Sequence, residues 1–444
     1  PPLSYFLFHT VASFSPNVFS KWTGIGLNLF FFVGCSVMLY ALSARLFKSE
    51  GFALLPCTIW GFCAGAISSA VFIRMYMLLT FFVLLTSFLH TRMLLADRPK
   101  NGRHLAALFG ATVLGILTHY YFLIFAFFLS IGVLLLLLIR KRYRPALAYA
   151  GTMLASVAAA VAIFPAFIHH ILYTHRGQQA FSNLRESSFV TALSENLRFF
   201  NNELLGGQGI PLLALSVILC VILMIQRKRG KANSVPQLRV HPRRYIYGIL
   251  AFAVVGYVLT VTKVEPFQVD RYLFCVYPLI MLAICLAWAF WGKLLIKNRR
   301  VTAALLLCLF LVLTLFSYAD HRIEYLYTEK DEAQAQALQA YADYDSFFVS
   351  PADALKQARV TLGALEMMRH PRCFLLNTED AAAVFPVAAA QTQGPVILYF
   401  THFEANPDTK ALLSSMLENT RFTRYSRVLD AQTSGSMTEG FILE

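Results

Sequence analysis

Charge is scarce in this 444-residue chain: 14% of its residues are charged and 57% are apolar, with a mean hydropathy of +0.58. A soluble domain carries about 25% charged residues, so the shortage excludes an ordinary water-soluble protein. Carboxylates are scarcest in the first 318 positions, which hold 28 Lys and Arg against 7 Asp and Glu, a net of +21. The remainder holds 10 and 17, a net of −7. The overall +14 would otherwise point to nucleic acid, but its basic residues fall in short connections between apolar runs. That is a signal of membrane topology, and nucleic acid is excluded as a partner. Of eight cysteines only Cys373 lies in a polar segment, so neither a disulfide framework nor a zinc site is expected. The absence of a glycine-rich phosphate loop and of a nucleophile elbow argues against nucleotide binding and hydrolase chemistry. The chain opens on Pro1-Pro2-Leu3 without Met or a basic leader; no signal peptide is read, and a preceding segment is expected.

What is present is a series of apolar runs. A span needs ~20 apolar residues to cross a ~30 Å hydrocarbon core, and ten runs qualify as candidates, at about 22–47, 52–73, 75–95, 105–118, 121–139, 145–168, 210–226, 245–262, 272–296 and 301–318. Alternate connections are basic: Arg45 and Lys48; Arg92 to Arg103; Arg140 to Arg144; Arg227 to Arg244; Lys293 to Arg300. These are expected to be cytoplasmic, and the others, including a long loop over 169–209, to face outward. Residues 1–20 repeat apolar side chains at helical spacing and predict an interfacial helix. Residues 319–444 predict a small extracytoplasmic α/β domain with helices over 330–343, 351–369 and 409–419, and strands at 346–350, 373–376, 395–400, 421–428 and 438–443. The expected fold class is a polytopic α-helical membrane protein of about ten spans with a C-terminal soluble α/β domain.

Five of the seven carboxylates fall on the predicted outer side: Glu186, Glu195, Glu203, Glu265 and Asp270. Any outward-facing general base is chosen among them or precedes the chain. Arg74, between two apolar runs, is placed either to grip a phosphate by forked hydrogen bonds or to snorkel and end a span. Asp270-Arg271-Tyr272, preceded by Glu265-Pro266 and followed by Pro278 inside the span, concentrates a cation and carboxylates at the same level; an exposed ion pair with a belt tyrosine is the alternative. Thr118-His119-Tyr120-Tyr121 forms a hairpin tip whose histidine either moves protons or belongs to the interfacial belt. His169, His170 and His175 lack a carboxylate at ligand spacing, and no metal is expected there. The 169–209 loop, with Arg176, Arg185, Arg198, Phe181, Phe199 and Phe200, is either a cavity cover lying on the membrane or a plain surface loop.

Taken in order, Pro1-Pro2-Leu3-Ser4-Tyr5 with His9, Ala44-Arg45-Leu46-Phe47, Arg74-Met75-Tyr76, Thr118-His119-Tyr120, and Arg271-Tyr272 with Pro278 resemble the polytopic lipid-linked-sugar glycosyltransferases of the GT-C class. The bacterial members similar to protein mannosyltransferases and to the aminoarabinose transferase of lipid A are the nearest in pattern, over residues 1 to about 318. The resemblance implies an inverting transfer of a sugar from a polyprenyl phosphate donor to a lipid, glycan or protein acceptor, at the outer face of a bacterial inner membrane. It implies that Arg74, Tyr76, His119, Tyr120, Arg271 and Tyr272 bind lipid phosphate or sugar. No cofactor is required by it, although a divalent cation is compatible. The family's catalytic acid lies before the proline motif and is expected upstream of Pro1, with Glu265 and Asp270 as fallback bases. Gln or Glu commonly precedes the family's Arg-x-Tyr motif; Phe72 and Ile73 stand here, so no polar contact carries over to them. Rival expectations are a flippase for lipid-linked oligosaccharide, an O-antigen ligase using the same donor, and a binding protein without activity.

Overall fold

Twenty consecutive uncharged residues, Tyr120–Ile139, dictate the most apolar of the described helices long enough to cross a membrane, and the other elements pack around such segments. The computed structural model describes residues 2–14, 21–47, 49–95, 102–186, 188–228, 243–265, 269–296, 298–320, 338–351, 370–401, 409–430 and 438–444. Contacts divide the chain into two units, Pro1–Leu326 and Tyr327–Glu444.

The first unit is helical: α1 (Pro2–Ala12), α2 (Lys21–Phe47), α3 (Glu50–Phe62), α4 (Ala64–Val71), α5 (Tyr76–Leu95), α6 (Gly102–Thr118), α7 (Tyr120–Ile139), α8 (Tyr143–Ile163), α9 (Ala166–Leu172), α10 (His175–Glu186), α11 (Phe189–Leu205), α12 (Gly209–Lys228), α13 (Arg243–Val264), α14 (Tyr277–Leu295) and α15 (Arg299–Asp320). Helix α7 packs along α13, α2 along α5 and α3, and α6 along α8. The shared core is built from side chains such as Phe52, Trp60, Phe122, Phe125, Tyr257 and Phe274.

Five described helices are long and apolar enough to cross a membrane, namely α2, α5, α7, α8 and α13, and they associate the chain with a membrane. A sixth span forms if α3 and α4, bent by 60° at Cys63, count as one. This is fewer than the ten expected. Each expected run does carry helix, but Gly102–Thr118, Gly209–Ile218, Phe274–Phe290 and Arg300–Phe316 are shorter apolar segments. At 1.5 Å per residue a 17-residue helix covers only about 26 Å. The run beginning at 272 opens as two 3₁₀ turns, Asp270–Tyr272 and Phe274–Val276, so that Pro278 lies at the second residue of α14 rather than inside a span. Its missing N–H costs nothing there.

The expected 169–209 loop is also corrected, because α9, α10 and α11 occupy most of it. Helix α11 is amphipathic: Ala192, Asn196, Glu203 and Leu204 are buried, and Gly206 (φ 56°) stops it in the left-handed conformation. The expected interfacial helix over 1–20 is a helix at Pro2–Ala12, packed on α2 and α6; residues 15–20 lie outside the described residues.

The second unit is a five-stranded sheet of order β2-β1-β3-β5-β4, from β1 (Asp345–Ser350), β2 (Cys373–Asn377), β3 (Val396–Thr401), β4 (Tyr425–Leu429) and β5 (Thr438–Leu443). Strand β1 pairs in parallel with β2 and β3, whereas β5 is antiparallel to β3 and β4. Helices α16 (Ala381–Ala389) and α17 (Thr409–Leu417) pack on each other, and Phe385, Leu413 and Met416 join the cluster around Phe347, Leu398 and Phe441. Strand β1 is buried at every position, as a parallel strand covered on both faces must be. The strands stand close to their predicted positions and α17 within its predicted range; α16 was not predicted. The expected helix over 351–369 and most of that over 330–343 fall outside the described residues.

Candidate functional site

Three separate segments deliver aromatic and basic side chains to one place. His119 caps α7 with extended backbone, its Nδ1 accepting from the Tyr121 N–H at 3.1 Å. This fixes the ring beside Tyr76 at the start of α5, with centroids 5.6 Å apart. Tyr76 meets the edges of Tyr272 and Phe274, both at 6.3 Å, and Tyr121 meets Tyr272 at 5.1 Å. The 3₁₀ turn carrying Tyr272 is held from beneath: Tyr257 Oη donates to the Tyr272 carbonyl at 2.6 Å, and Cys275 Sγ donates to Tyr257 Oη at 3.1 Å. The Arg271 guanidinium lies over Phe72 and Tyr272, 5.9 and 5.6 Å from their centroids. Phe72 is anchored in turn, its carbonyl accepting from Asn28 Nδ2 at 2.6 Å. Tyr76, His119 and Tyr272 are buried, whereas Arg271 is part-exposed.

Buried carboxylates stand on the elements that frame this cluster. Asp270, 3% exposed, accepts from the Arg271 N–H through Oδ1 at 2.7 Å. Glu203 accepts from Tyr277 Oη at 2.7 Å, and Gly65, just after the α3–α4 bend, allows that pair to approach: a Cβ there would lie 2.7 Å from Tyr277 Cε2 and 2.9 Å from Glu203 Oε2. Glu265, 4% exposed, follows the last residue of α13. Its Oε1 accepts from Asn196 Nδ2 at 3.2 Å; the same Nδ2 also donates to Thr262 Oγ1 at 2.9 Å. Among the described residues Oε2 has no hydrogen-bond partner. Burial pushes the Glu265 carboxyl up from 4.5 to about 7, only partly opposed by the Asn196 hydrogen bond.

The structure therefore brings together Tyr76, His119, Arg271 and Tyr272, with Asp270 adjoining. Tyr120 points elsewhere: its Oη is 2.6 Å from His170 Nδ1 and its ring packs on Phe167. Arg74 is exposed, and its guanidinium makes no ion pair among the described residues. Glu265 belongs to the Asn196–Thr262 set. The side chains of His175, Arg176, Arg185 and Glu186, and all of Pro266, lie outside the described residues. No described group of three His, Cys, Asp or Glu side chains is arranged to hold a metal.

Sequence reasoning missed Tyr121 and Phe274 as walls, Tyr277 as the partner of Glu203, and Asn196 as the partner of Glu265. A signal existed for α11: Asn196, Phe200 and Glu203 fall four and three residues apart on one helical face.

Chemically, a part-exposed guanidinium lying over Phe72 and Tyr272 can hold an anionic oxygen by forked hydrogen bonds, while a buried carboxyl pushed up to about 7 can exchange a proton near neutral pH. Comparison with protein-family models and with curated proteins finds no match to the chain.

Proposed function

We propose that the chain is an inverting glycosyltransferase that moves a sugar from a polyprenyl phosphate to an acceptor hydroxyl at the outer face of a bacterial inner membrane. The observation that carries this reading is the convergence of the Tyr76, His119 and Tyr272 rings, from three segments widely separated in sequence, with the Arg271 guanidinium over Tyr272. On this reading the basic helix ends face the cytoplasm, all ten apolar runs cross or enter the bilayer, and the sheet unit is extracytoplasmic.

The acceptor oxygen attacks the anomeric carbon as the bond to the phosphate oxygen breaks on the opposite side, which inverts the configuration. Arg271 stabilises the charge that develops on the departing lipid phosphate. The tyrosine hydroxyls and His119 orient phosphate or sugar hydroxyls. The acceptor proton passes to a carboxylate, for which Glu265 has the tuned affinity and Asp270 the position beside Arg271. Arg74, exposed at the start of the same segment as Tyr76, is a second cation for a lipid headgroup approaching from the bilayer.

The test is sugar transfer by membranes containing the chain, with a radiolabelled polyprenyl phosphate sugar as donor. Arg271→Ala is expected to slow transfer by about 10²–10³-fold, the effect of removing one preorganised donor from a developing charge, and Arg271→Lys to restore part of it. Equal rates in wild type and in an inserted, folded Arg271→Ala protein would refute the assignment.

A further inference from the structure

The opposite end of the same helices carries a second site. Helix α7 is 20 residues long, so Arg140 at its C-terminal end lies about 30 Å from His119 at its N-terminal end. A cavity of about 280 Å³ opens there among α5, α6, α7 and α8, walled by Leu94, Leu105, Leu137 and Pro145 and bearing Arg140, Arg142 and Arg144. A second cavity of about 260 Å³, almost wholly apolar, runs between α7 and α8. Tyr149 lines both. Its hydroxyl is bound by His90 Nε2 at 2.8 Å, which fixes the ring between them.

Three features single out one class of ligand. Arg142 and Arg144 are exposed, Arg140 is engaged by the face of Tyr245 at 4.8 Å, and among the described residues none of the three pairs with a carboxylate. Directly beneath these cations the walls are apolar rather than polar, so a free anion would find no complement there. The apolar lining also continues along α8 as far as Val157, about 20 Å from Arg144 at 1.5 Å per residue. That exceeds the ~15 Å depth of one leaflet, half of a ~30 Å hydrocarbon core.

We infer that these adjoining cavities form a binding site for an anionic phospholipid of the surrounding bilayer, whose phosphodiester is held by Arg140, Arg142 and Arg144 and whose acyl chain passes Tyr149 into the groove between α7 and α8. The guanidinium forks match phosphate oxygens, and a zwitterionic lipid presents the same tail with a compensating cation that these arginines repel. The site lies at the other end of the helices from the proposed transfer site and does not depend on that reading.

The experiment is native mass spectrometry of the purified full chain in detergent, titrated with phosphatidylglycerol, phosphatidylcholine or glycerophosphate. Wild type is expected to retain phosphatidylglycerol at least tenfold over phosphatidylcholine and to bind glycerophosphate weakly. Each basic residue near an anionic lipid surface strengthens binding by about fivefold, so Arg142→Gln with Arg144→Gln should weaken phosphatidylglycerol binding by about 25-fold. Ala150→Trp, which fills the groove without altering charge, should weaken binding of both lipids. Unaltered melting of the lipid-free variants establishes that they are folded, and Arg142→Lys with Arg144→Lys, which keeps the charge, should retain most of the preference. Equal retention of the two lipids, or a preference unmoved by the glutamine pair, would overturn the site. Glycerophosphate binding as tight as phosphatidylglycerol would make it a phosphate site and overturn the lipid assignment, as would displacement of phosphatidylglycerol by substoichiometric polyprenyl phosphate.

Discussion

Glu265 shows what burial does to a carboxyl with one hydrogen-bond donor. Its affinity for a proton is raised from 4.5 to about 7, so between those pH values the folded protein holds a proton that the unfolded chain has released. The sign of the linkage follows. The contribution is fully present below about pH 4.5, stability falls as the pH rises through the window, and the loss is complete above about pH 7. A displacement of this size is worth about 3 kcal/mol. Glu265→Gln, which keeps the shape and removes the titration, is therefore expected to raise stability at pH 8 relative to wild type by about 1–3 kcal/mol and to leave it nearly unchanged at pH 4. Thermal melting in detergent at the two pH values checks this, and parallel curves for the two proteins would contradict it. If Glu265 also takes the acceptor proton, transfer rises with pH through about 7 in wild type and loses that rise in Glu265→Gln. The sequence made Glu265 legible as an outward carboxylate in a segment short of them. It did not reveal the raised proton affinity, which comes from burial, nor the hydrogen bond that partly opposes it, from Asn196, 69 residues earlier.

At the scale of elements, the bend between α3 and α4 is where sequence and structure diverge most usefully. Residues 52–73 are apolar throughout and predict one span, but the chain turns by 60° at Cys63, whose backbone is extended. Periodicity does not show such a break, because both halves are equally apolar. What the bend gains is local: Gly65 admits the Glu203–Tyr277 pair, which brings α11 against α4 and the Tyr277 ring beside Gly65. Gly65→Val should therefore destabilise the helical unit by about 1–3 kcal/mol, as overpacking of a filled interior does, and should lower melting in detergent. A variant as stable as wild type would show that α4 has room to move. The same reasoning explains why hydropathy predicts a loop over 169–209: the buried positions of α11 are few and partly polar, so its apolar face is too narrow to stand out. The sheet unit was more legible, since short apolar strands bounded by polar turns give a plain signal. Its core makes a separate prediction. Phe347 is fully buried, stacked on Phe374 at 4.7 Å and edge-on to Phe385 at 4.9 Å. Phe347→Ala should cost the sheet unit about 3–5 kcal/mol, measurable as early protease cleavage within residues 327–444. Wild-type resistance to protease would be inconsistent with that packing.

For the whole molecule, the distribution of charge is the organising fact. Arg140 and Tyr245 meet at one end of α7 and α13, and the Tyr247 hydroxyl donates to the carbonyl of Leu46 near the end of α2. Tyr76, His119, Asp270 and Arg271 gather at the other end of the bundle. On the proposed orientation, a cysteine replacing exposed Lys141 should react with an impermeant maleimide only after sealed cells are opened, whereas one replacing part-exposed Gln208 should react before. The reverse pattern would invert the topology. Alternating basic connections are plain in the sequence; of the residues its short motifs single out, Tyr76, His119, Arg271 and Tyr272 stand together, whereas Tyr120 turns to His170 and Arg74 is exposed. The bond-making chemistry is the larger claim. Its most direct measurement is to incubate the purified chain, reconstituted in vesicles, with a polyprenyl phosphate carrying a radiolabelled sugar, and to follow both the label and the anomeric configuration of the product. The account requires label to leave the lipid with inverted configuration, slowed about 10²–10³-fold by Arg271→Ala. Donor that crosses the bilayer intact, with no label released from the lipid, would contradict it and identify a carrier instead.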